Sequence, residues 1–295
     1  MSTIDIKITF QCNNNCIFCV QGDKRSICGD KEKSEIIRIL HNSKGNFNQV
    51  VFTGGECSLR EDLIELVQCA KKLGYEINIQ SNGRMFFYKD FCKEIVVAGA
   101  KIFSFSLHGH TKDLHESLTR IKGSFNQTVK GLDNLLKLGA CISTNTVIVK
   151  PNYRYLADIS IFLMSLGIDQ YQLAYPHILG NVLTNKSDLI VRKKQIMPFV
   201  IKAIDVGLKN NARPYVEAIP YCFLPGYEIC ISDRYIPDTK VFEWNFVNDF
   251  TRWRKDEGKI KGPQCSKCKY FDICEGPWRE YPELYGWSEF KPIEK

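Results

Sequence analysis

No stretch of this sequence reaches the ~18 consecutive apolar residues that a membrane-spanning helix needs. The opening residues Met1-Ser2-Thr3-Ile4-Asp5 carry neither a basic segment nor an apolar core, so no secretory signal is expected and the cytoplasm is the expected location. No internal repeat is present beyond an alternation of strand-like and helix-like pieces, and no segment is of low complexity, which excludes solenoids and long disordered linkers. A concentrated basic stripe is also missing. The formal charge of +7 is mild, and the stretches Arg192-Lys193-Lys194 and Arg252–Lys261 read as solvated faces, which argues against nucleic acid.

What remains is an ordinary soluble composition, 44% hydrophobic and 25% charged. A length of 295 residues suits one α/β domain with a small appendage. Short runs rich in Val, Ile and Phe read as strands at Ile4–Phe10, Gln49–Thr53, Glu76–Gln80, Lys101–Leu107, Ala140–Val149 and Gln170–Ala174. Amphipathic stretches lie between them. In Arg60–Leu73, Leu63, Leu66, Val67 and Ala70 recur at helical spacing before Gly74, and Phe125–Leu138 before Gly139 behaves alike. About six β-then-α units imply a parallel sheet with right-handed crossovers, either doubly wound or an incomplete barrel. Both place ligand chemistry at the C-terminal strand ends. Those ends carry a cysteine-rich loop, Gly54-Gly55-Glu56, Ser81-Asn82-Gly83, Ser106 to Gly109, and His177. From about Asn211 prolines and aromatics become dense and helical pattern survives mainly around Glu243–Arg254. This predicts a division into residues 1–210 and an irregular domain of residues 211–295 that needs a staple.

Thirteen cysteines supply such staples. In a reducing compartment clustered cysteines read as metal ligands rather than disulfides. Cys12-x3-Cys16-x2-Cys19 follows the first strand on a loop short enough to aim three sulfurs at one centre. Three thiolates leave one iron of a cubane open, as cofactor coordination requires, whereas zinc favours paired Cys-x2-Cys units and four ligands.

Cys12-Asn13-Asn14-Asn15-Cys16-Ile17-Phe18-Cys19 resembles the signature of the radical S-adenosylmethionine (SAM) superfamily, including the aromatic before the last cysteine. The resemblance implies a partial (β/α)6 barrel of TIM type over roughly residues 4–210. It also implies a [4Fe–4S] cluster on Cys12, Cys16 and Cys19, and cleavage of SAM to a 5′-deoxyadenosyl radical that abstracts hydrogen from substrate. By the same resemblance Gly54, Gly55 and Glu56 bind the methionine amino group, although Cys57 replaces the usual following proline. Phe18, Ser81, Asn82, Ser106, Arg120 and Asn145 become further SAM-binding positions.

Cys265-x2-Cys268-x5-Cys274 resembles the cysteine-rich core of the SPASM and Twitch extensions that hold auxiliary [4Fe–4S] clusters. No cysteine follows Cys274, so one auxiliary cluster is expected, nearer the Twitch arrangement, with Cys222 favoured over Cys230 as fourth ligand. A zinc knuckle on the same cysteines is the competing reading. His108, His110 and His177 follow strands four and six and would face the substrate as binding groups or bases, while His41 and His115 look peripheral. The enzyme is expected to modify a peptide or protein residue by oxidation, crosslinking or epimerisation, with a flavodoxin or ferredoxin as reductant. Dehydrogenation of a small molecule is the alternative, and a non-catalytic iron–sulfur or zinc protein is the reading from another class.

Overall fold

The computed structural model describes residues 2–244 and 246–294. Nine strands form one sheet: β1 (Ser2–Thr9), β2 (Gln49–Gly54), β3 (Glu76–Ser81), β4 (Ile102–Ser106), β5 (Cys141–Val147), β6 (Gln170–Ala174), β7 (Arg213–Glu217), β8 (Asp238–Phe242) and β9 (Val247–Asp249). Their order is β7-β6-β5-β4-β3-β2-β1-β8-β9. The first seven strands run parallel, as consecutive β–α units demand. The chain forms a partial barrel with helices packed outside it. Among the described residues no helix is long and apolar enough to cross a membrane.

Period-two patterning decides which face of each strand meets the helices. On β1, Ile4, Ile6 and Ile8 are fully buried, while Thr3, Asp5 and Lys7 line the lumen. The helix Leu63–Lys72 buries the expected apolar stripe, and Gly74 takes φ +87 just beyond it. Each fully buried Ile or Leu of this layer contributes about 1.5–3 kcal/mol.

Three strands come from beyond residue 210. β7 continues the parallel run beside β6. β8 returns to the opposite end and pairs parallel with β1, Asp5 lying against Val241, and β9 folds back antiparallel on β8. Proline at position 214 and the polar alternation Asp238-Thr239-Lys240-Val241-Phe242 conceal these strands in the sequence. The helix expected over Glu243–Arg254 is mostly the β8–β9 turn and β9. Only Phe250–Trp253 is α-helical, starting where Asp249 accepts from the Arg252 amide at 3.0 Å, and it continues as a π-helical turn over Arg254–Gly258. Asn245, within that stretch, lies outside the described residues.

The sheet encloses a cavity of about 710 Å³ lined from all nine strands. Its walls are mixed, with Gln49, Asn78, Gln80, Ser104, Asn145 and Gln172 beside Val51, Val241, Phe250 and Trp253.

Candidate functional site

Cys12, Cys16 and Cys19 share the loop that leaves β1, and neighbouring elements hold that loop from three sides. The amides of Asn15 and Ile17 donate to Thr119 and Leu118 carbonyls at 2.9 and 3.0 Å. Asn181, after β6, donates from its amide to Cys19 O at 2.9 Å and from Nδ2 to Cys16 O at 3.0 Å. Arg25 donates to Cys12 O at 2.9 Å, and Arg84 donates to the Asn13 carbonyl. Burial pushes the Cys12 and Cys16 thiols up, and repulsion from neighbouring cysteines adds to it. Cys12 Sγ receives the Asn14 amide at 3.4 Å and Asn82 Nδ2 at 3.7 Å, donors that favour a thiolate. Phe18 is buried edge-on against His108, ring centres 4.6 Å apart.

Gly54-Gly55-Glu56 lies directly against this loop. Gly55 N donates to Thr9 O and Glu56 N to Gln11 O, both at 2.7 Å. A Cβ on Gly55 would stand 2.3 Å from Gln11 O and 2.5 Å from Phe10 O, and one on Gly54 (φ +143) 2.0 Å from Thr9 O. Only glycine permits so close a backbone approach. Gly55→Ala is therefore expected to cost about 1–3 kcal/mol in urea unfolding and to lower iron retention, because the displaced backbone at Phe10 and Gln11 leads directly into Cys12.

Glu56 is fully buried. Its Oε1 accepts from Ser58 Oγ (2.5 Å), Ser81 Oγ (2.7 Å) and Ser58 N (3.1 Å), and Oε2 accepts from Asn82 N (2.6 Å). Burial nonetheless raises its pKa. Oε2 keeps acceptor capacity for one further donor. Ser81 and Asn82 are thus spent inside the protein: Ser81 orients Glu56, and Asn82 Nδ2 reaches Asn13 Oδ1 at 2.7 Å.

The other expected positions divide. Asn145 lines the lumen, and its Oδ1 is buried without a hydrogen-bond partner among the described residues. Ser106 is half-buried at the end of β4. Arg120 is exposed at φ +56, capping the helix Lys112–Thr119, and does not line the lumen. His177 lines it, bonded through Nε2 to Glu280 at 3.1 Å and stacked on Trp278 at 4.1 Å.

His108 does not face the lumen, a correction to the sequence expectation. It is enclosed under Phe18 and stacked on His115 at 5.9 Å, and burial pushes its pKa well down. His115, read as peripheral, is buried too and titrates at about 4. The reason is that strand alternation stops at Ser106: His108 falls past the end of β4, where Val147 N donates to its ring and Asn152 Nδ2 to its carbonyl.

Residues 6–162 match the family model described as Radical SAM superfamily. The chain belongs to the radical SAM superfamily. Membership makes it an enzyme and implies SAM and a [4Fe–4S] cluster.

A curated relative, a probable GTP 3′,8-cyclase of Saccharolobus solfataricus, is 28% identical over 187 residues, 61% of this chain and 58% of that protein. An AdoMet-dependent heme synthase of Oleidesulfovibrio alaskensis is 27% identical over 163 residues, 55% of this chain and 42% of that protein. The chain thus spans less than two thirds of these relatives' length. Among solved structures, native anSMEcpe with bound AdoMet superposes with TM-score 0.70 at 14% identity, covering 94% of this chain and 89% of that one. Streptococcus suis SuiB bound to precursor peptide SuiA gives 0.68 at 17% identity, covering 93% and 71%. These likenesses show the radical SAM barrel fold.

Behind the radical SAM barrel, Cys222, Cys265, Cys268 and Cys274 line one small cavity with Pro220, Phe271 and Phe290. Burial and repulsion from the other three thiols push Cys222 up to about 12. Gly276 N donates to Cys274 Sγ at 3.4 Å. Cys230 is buried, but it does not line this cavity, and burial alone raises its pKa. Among the described residues no three His, Cys, Asp or Glu side chains converge on a single ion-sized point; these four stand around a cavity.

Beside it lies a buried charge network that sequence reasoning misread as solvated. Lys259 bridges Asp233 and Glu275 (2.9 Å to the latter), and Arg254 bonds Glu275 at 2.8 Å, with Arg254 and Lys259 1% and 2% exposed. Lys193 is likewise buried, its Nζ 3.1 Å from the centre of the Tyr175 ring. Reading along one element, basic runs resemble surface. Only tertiary packing reveals their partners. Glu217, at the end of β7, was missed as well. It lines the lumen and accepts from Gln172 at 2.5 Å, and burial raises its pKa against the pull of Lys259 and Arg254.

Proposed function

We propose that this chain is a radical SAM peptide-modifying enzyme with two [4Fe–4S] clusters. Cys12, Cys16 and Cys19 hold the SAM-binding cluster. Their donor set suits it: three gathered thiols, N–H groups aimed at Cys12 Sγ, and no fourth protein sulfur on the loop. Cys222, Cys265, Cys268 and Cys274 hold the auxiliary cluster, in a rear domain taken as residues 211–295 behind a barrel of residues 1–210. When bound, the first cluster supplies the electron that splits SAM into methionine and a 5′-deoxyadenosyl radical, which takes hydrogen from substrate.

The chain's own residues would do the following. The acceptor site left on Glu56 Oε2 and the adjoining Gly54-Gly55 backbone receive the SAM ammonium group, and Asn145 Oδ1 receives a hydroxyl or amine donor. Ser81 and Asn82 position Glu56 and the cluster loop, and Ser106 lies nearby on β4. Phe18 and His108 pack the loop from behind, which makes His108 a positioning residue. His177, steadied by Glu280 and Trp278, is the candidate base at the lumen rim. Arg120 would need to swing inward to meet a SAM carboxylate. A flavodoxin or ferredoxin is the proposed reductant.

The observation that carries the reading is the two separate cysteine groups, one on the loop that leaves β1 and the other lining a small cavity beyond the end of β7. The peptide class is supported by fold likeness to SuiB with its precursor peptide over 93% of this chain, rear region included, whereas the GTP cyclase relative matches 187 residues. That relative favours the second reading, a small-molecule substrate.

To test this, reduced holoenzyme and SAM are mixed with fractions of the host cell extract, and 5′-deoxyadenosine is counted. The macromolecular and peptide fraction is expected to stimulate turnover, and protease treatment to remove the stimulation. Stimulation by the protease-resistant dialysable fraction alone would transfer the assignment to a small molecule.

A further inference from the structure

Most polar groups in the lumen are already engaged with one another. Gln49 donates to Glu76 at 2.8 Å and accepts from Thr3 at 3.3 Å. The Ser104 hydroxyl meets Asn78 at 3.3 Å and Ser143 at 3.2 Å. Gln172 donates to Glu217, and Lys24 pairs with Glu243 at 2.6 Å. Asn145 Oδ1 is an orphan acceptor, and it is assigned above to SAM.

Asp5 stands apart. It projects into the lumen from the middle of β1, and its Oδ1 is buried with no hydrogen-bond partner among the described residues. Its neighbours in register on either side are Val51 on β2 and Val241 on β8, both lining the lumen. The charged groups that face it are Lys7, two residues along the strand, and Glu243 beyond β8, and neither bonds this oxygen. An ionised carboxylate kept in a partly apolar enclosure without a partner costs several kcal/mol. The Lys7 charge offsets part of that cost but gives this oxygen no hydrogen bond, so a donor arriving with a ligand is the natural complement. Burial raises the Asp5 carboxyl, as a site missing its counter-charge would show.

The ligand chemistry follows from the surroundings. Asp5 lies four residues before the end of β1, about 13 Å below the strand end at ~3.3 Å per residue, so a ligand entering past the Cys12–Cys19 loop reaches it with the tip of a long chain. The valines on either side suit methylenes. Among the described residues no hydrogen bond reaches either Asp5 oxygen, and Oδ1 is the fully enclosed one; a compact ammonium can bond that buried oxygen alone, whereas the fork of a guanidinium calls for both oxygens side by side.

We propose that Asp5 is a substrate-recognition residue whose carboxylate binds the protonated primary amine at the end of an alkyl chain, with Val51 and Val241 packing its methylenes. This deepens the reading above and rests on the lumen being the substrate chamber. The ammonium could belong to a lysine side chain within a peptide or to a free diamino acid.

The test is calorimetric titration of SAM-loaded, reconstituted holoenzyme with Nα-acetyl-L-lysine N-methylamide, its norleucine counterpart and free L-lysine. The acetylated lysine amide is expected to bind at least about tenfold more tightly than the norleucine compound, and that advantage is expected to vanish in Asp5→Asn. Free L-lysine binding more tightly than the amide would support the Asp5 site while assigning it to a free diamino acid. Equal affinity for the lysine and norleucine compounds on the wild type, or a lysine preference that survives in Asp5→Asn, overturns the proposal. The wild-type comparison needs no variant to fold. Formation of 5′-deoxyadenosine by the same wild-type sample is read separately: its absence defeats the radical SAM reading, whereas its presence without lysine preference defeats only the Asp5 site.

Discussion

Replacing Cys12, Cys16 and Cys19 together by alanine is expected to abolish 5′-deoxyadenosine formation while leaving about four irons and four sulfides per chain after anaerobic reconstitution. The first effect follows from the loop: these sulfurs share one segment, and no other cysteine lies on it. The second follows from the rear cavity, whose lining by Cys222, Cys265, Cys268 and Cys274 would supply four thiolates independent of that loop. The loop variants leave that set untouched. Extending the substitutions to Cys222 is expected to remove most of the remaining iron, whereas Cys230→Ala is expected to retain it, since Cys230 lies away from that cavity. Near-zero iron in the triple variant, particularly with zinc in its place, would make the rear domain a structural metal site and withdraw the two-cluster proposal.

Lys259→Met is expected to destabilise the protein by about 3–5 kcal/mol, read from urea unfolding. Lys259 is nearly inaccessible and meets two carboxylates, Asp233 and Glu275, each itself at least nine-tenths buried. Removing the cation leaves Asp233 without its counter-charge and Glu275 sharing only Arg254. Because an unmatched buried charge is the dominant cost, the variant Lys259→Met/Asp233→Asn is expected to recover part of the loss. The same lesion should loosen the rear cysteines, since Glu275 follows Cys274 directly and Lys259 also faces the Trp278 ring at 5.1 Å. Faster iron loss on dilution measures that link. A loss below about 1 kcal/mol would mean that the network is solvated in solution, as exposed ion pairs are.

Much of the site could be read locally. Gln170–Ala174 is a strand with the ends expected from sequence, and the other five expected strands agree to within a few residues. Local patterning suffices there because side-chain period and turn residues act over neighbouring positions. The glycine pair at 54–55 was legible for a related reason: two adjacent glycines before a carboxylate announce a close backbone approach, and the structure supplies the backbone, Thr9 to Gln11. His108 was misjudged because it lies past the end of β4, where strand alternation no longer sets the side chain's direction and distant partners, Phe18 and the Val147 amide, enclose it. Ser81 and Asn82 stood at the expected strand end, but their partners, Glu56 and Asn13, lie 25 and 69 residues away in sequence.

The radical SAM barrel was legible in the sequence, because the cysteine spacing, the Gly-Gly-Glu turn and the β–α alternation are short-range features. Tertiary structure alone decided what depends on distant segments meeting. It brought β8 beside β1, and so set Asp5 between Val51 and Val241. It buried Lys193, Arg254 and Lys259 where charge counting saw surface. It also chose Cys222 over Cys230 for the rear cavity. Each is a question of which charge or sulfur ends up near which other, and chain closure over tens to hundreds of residues settles it.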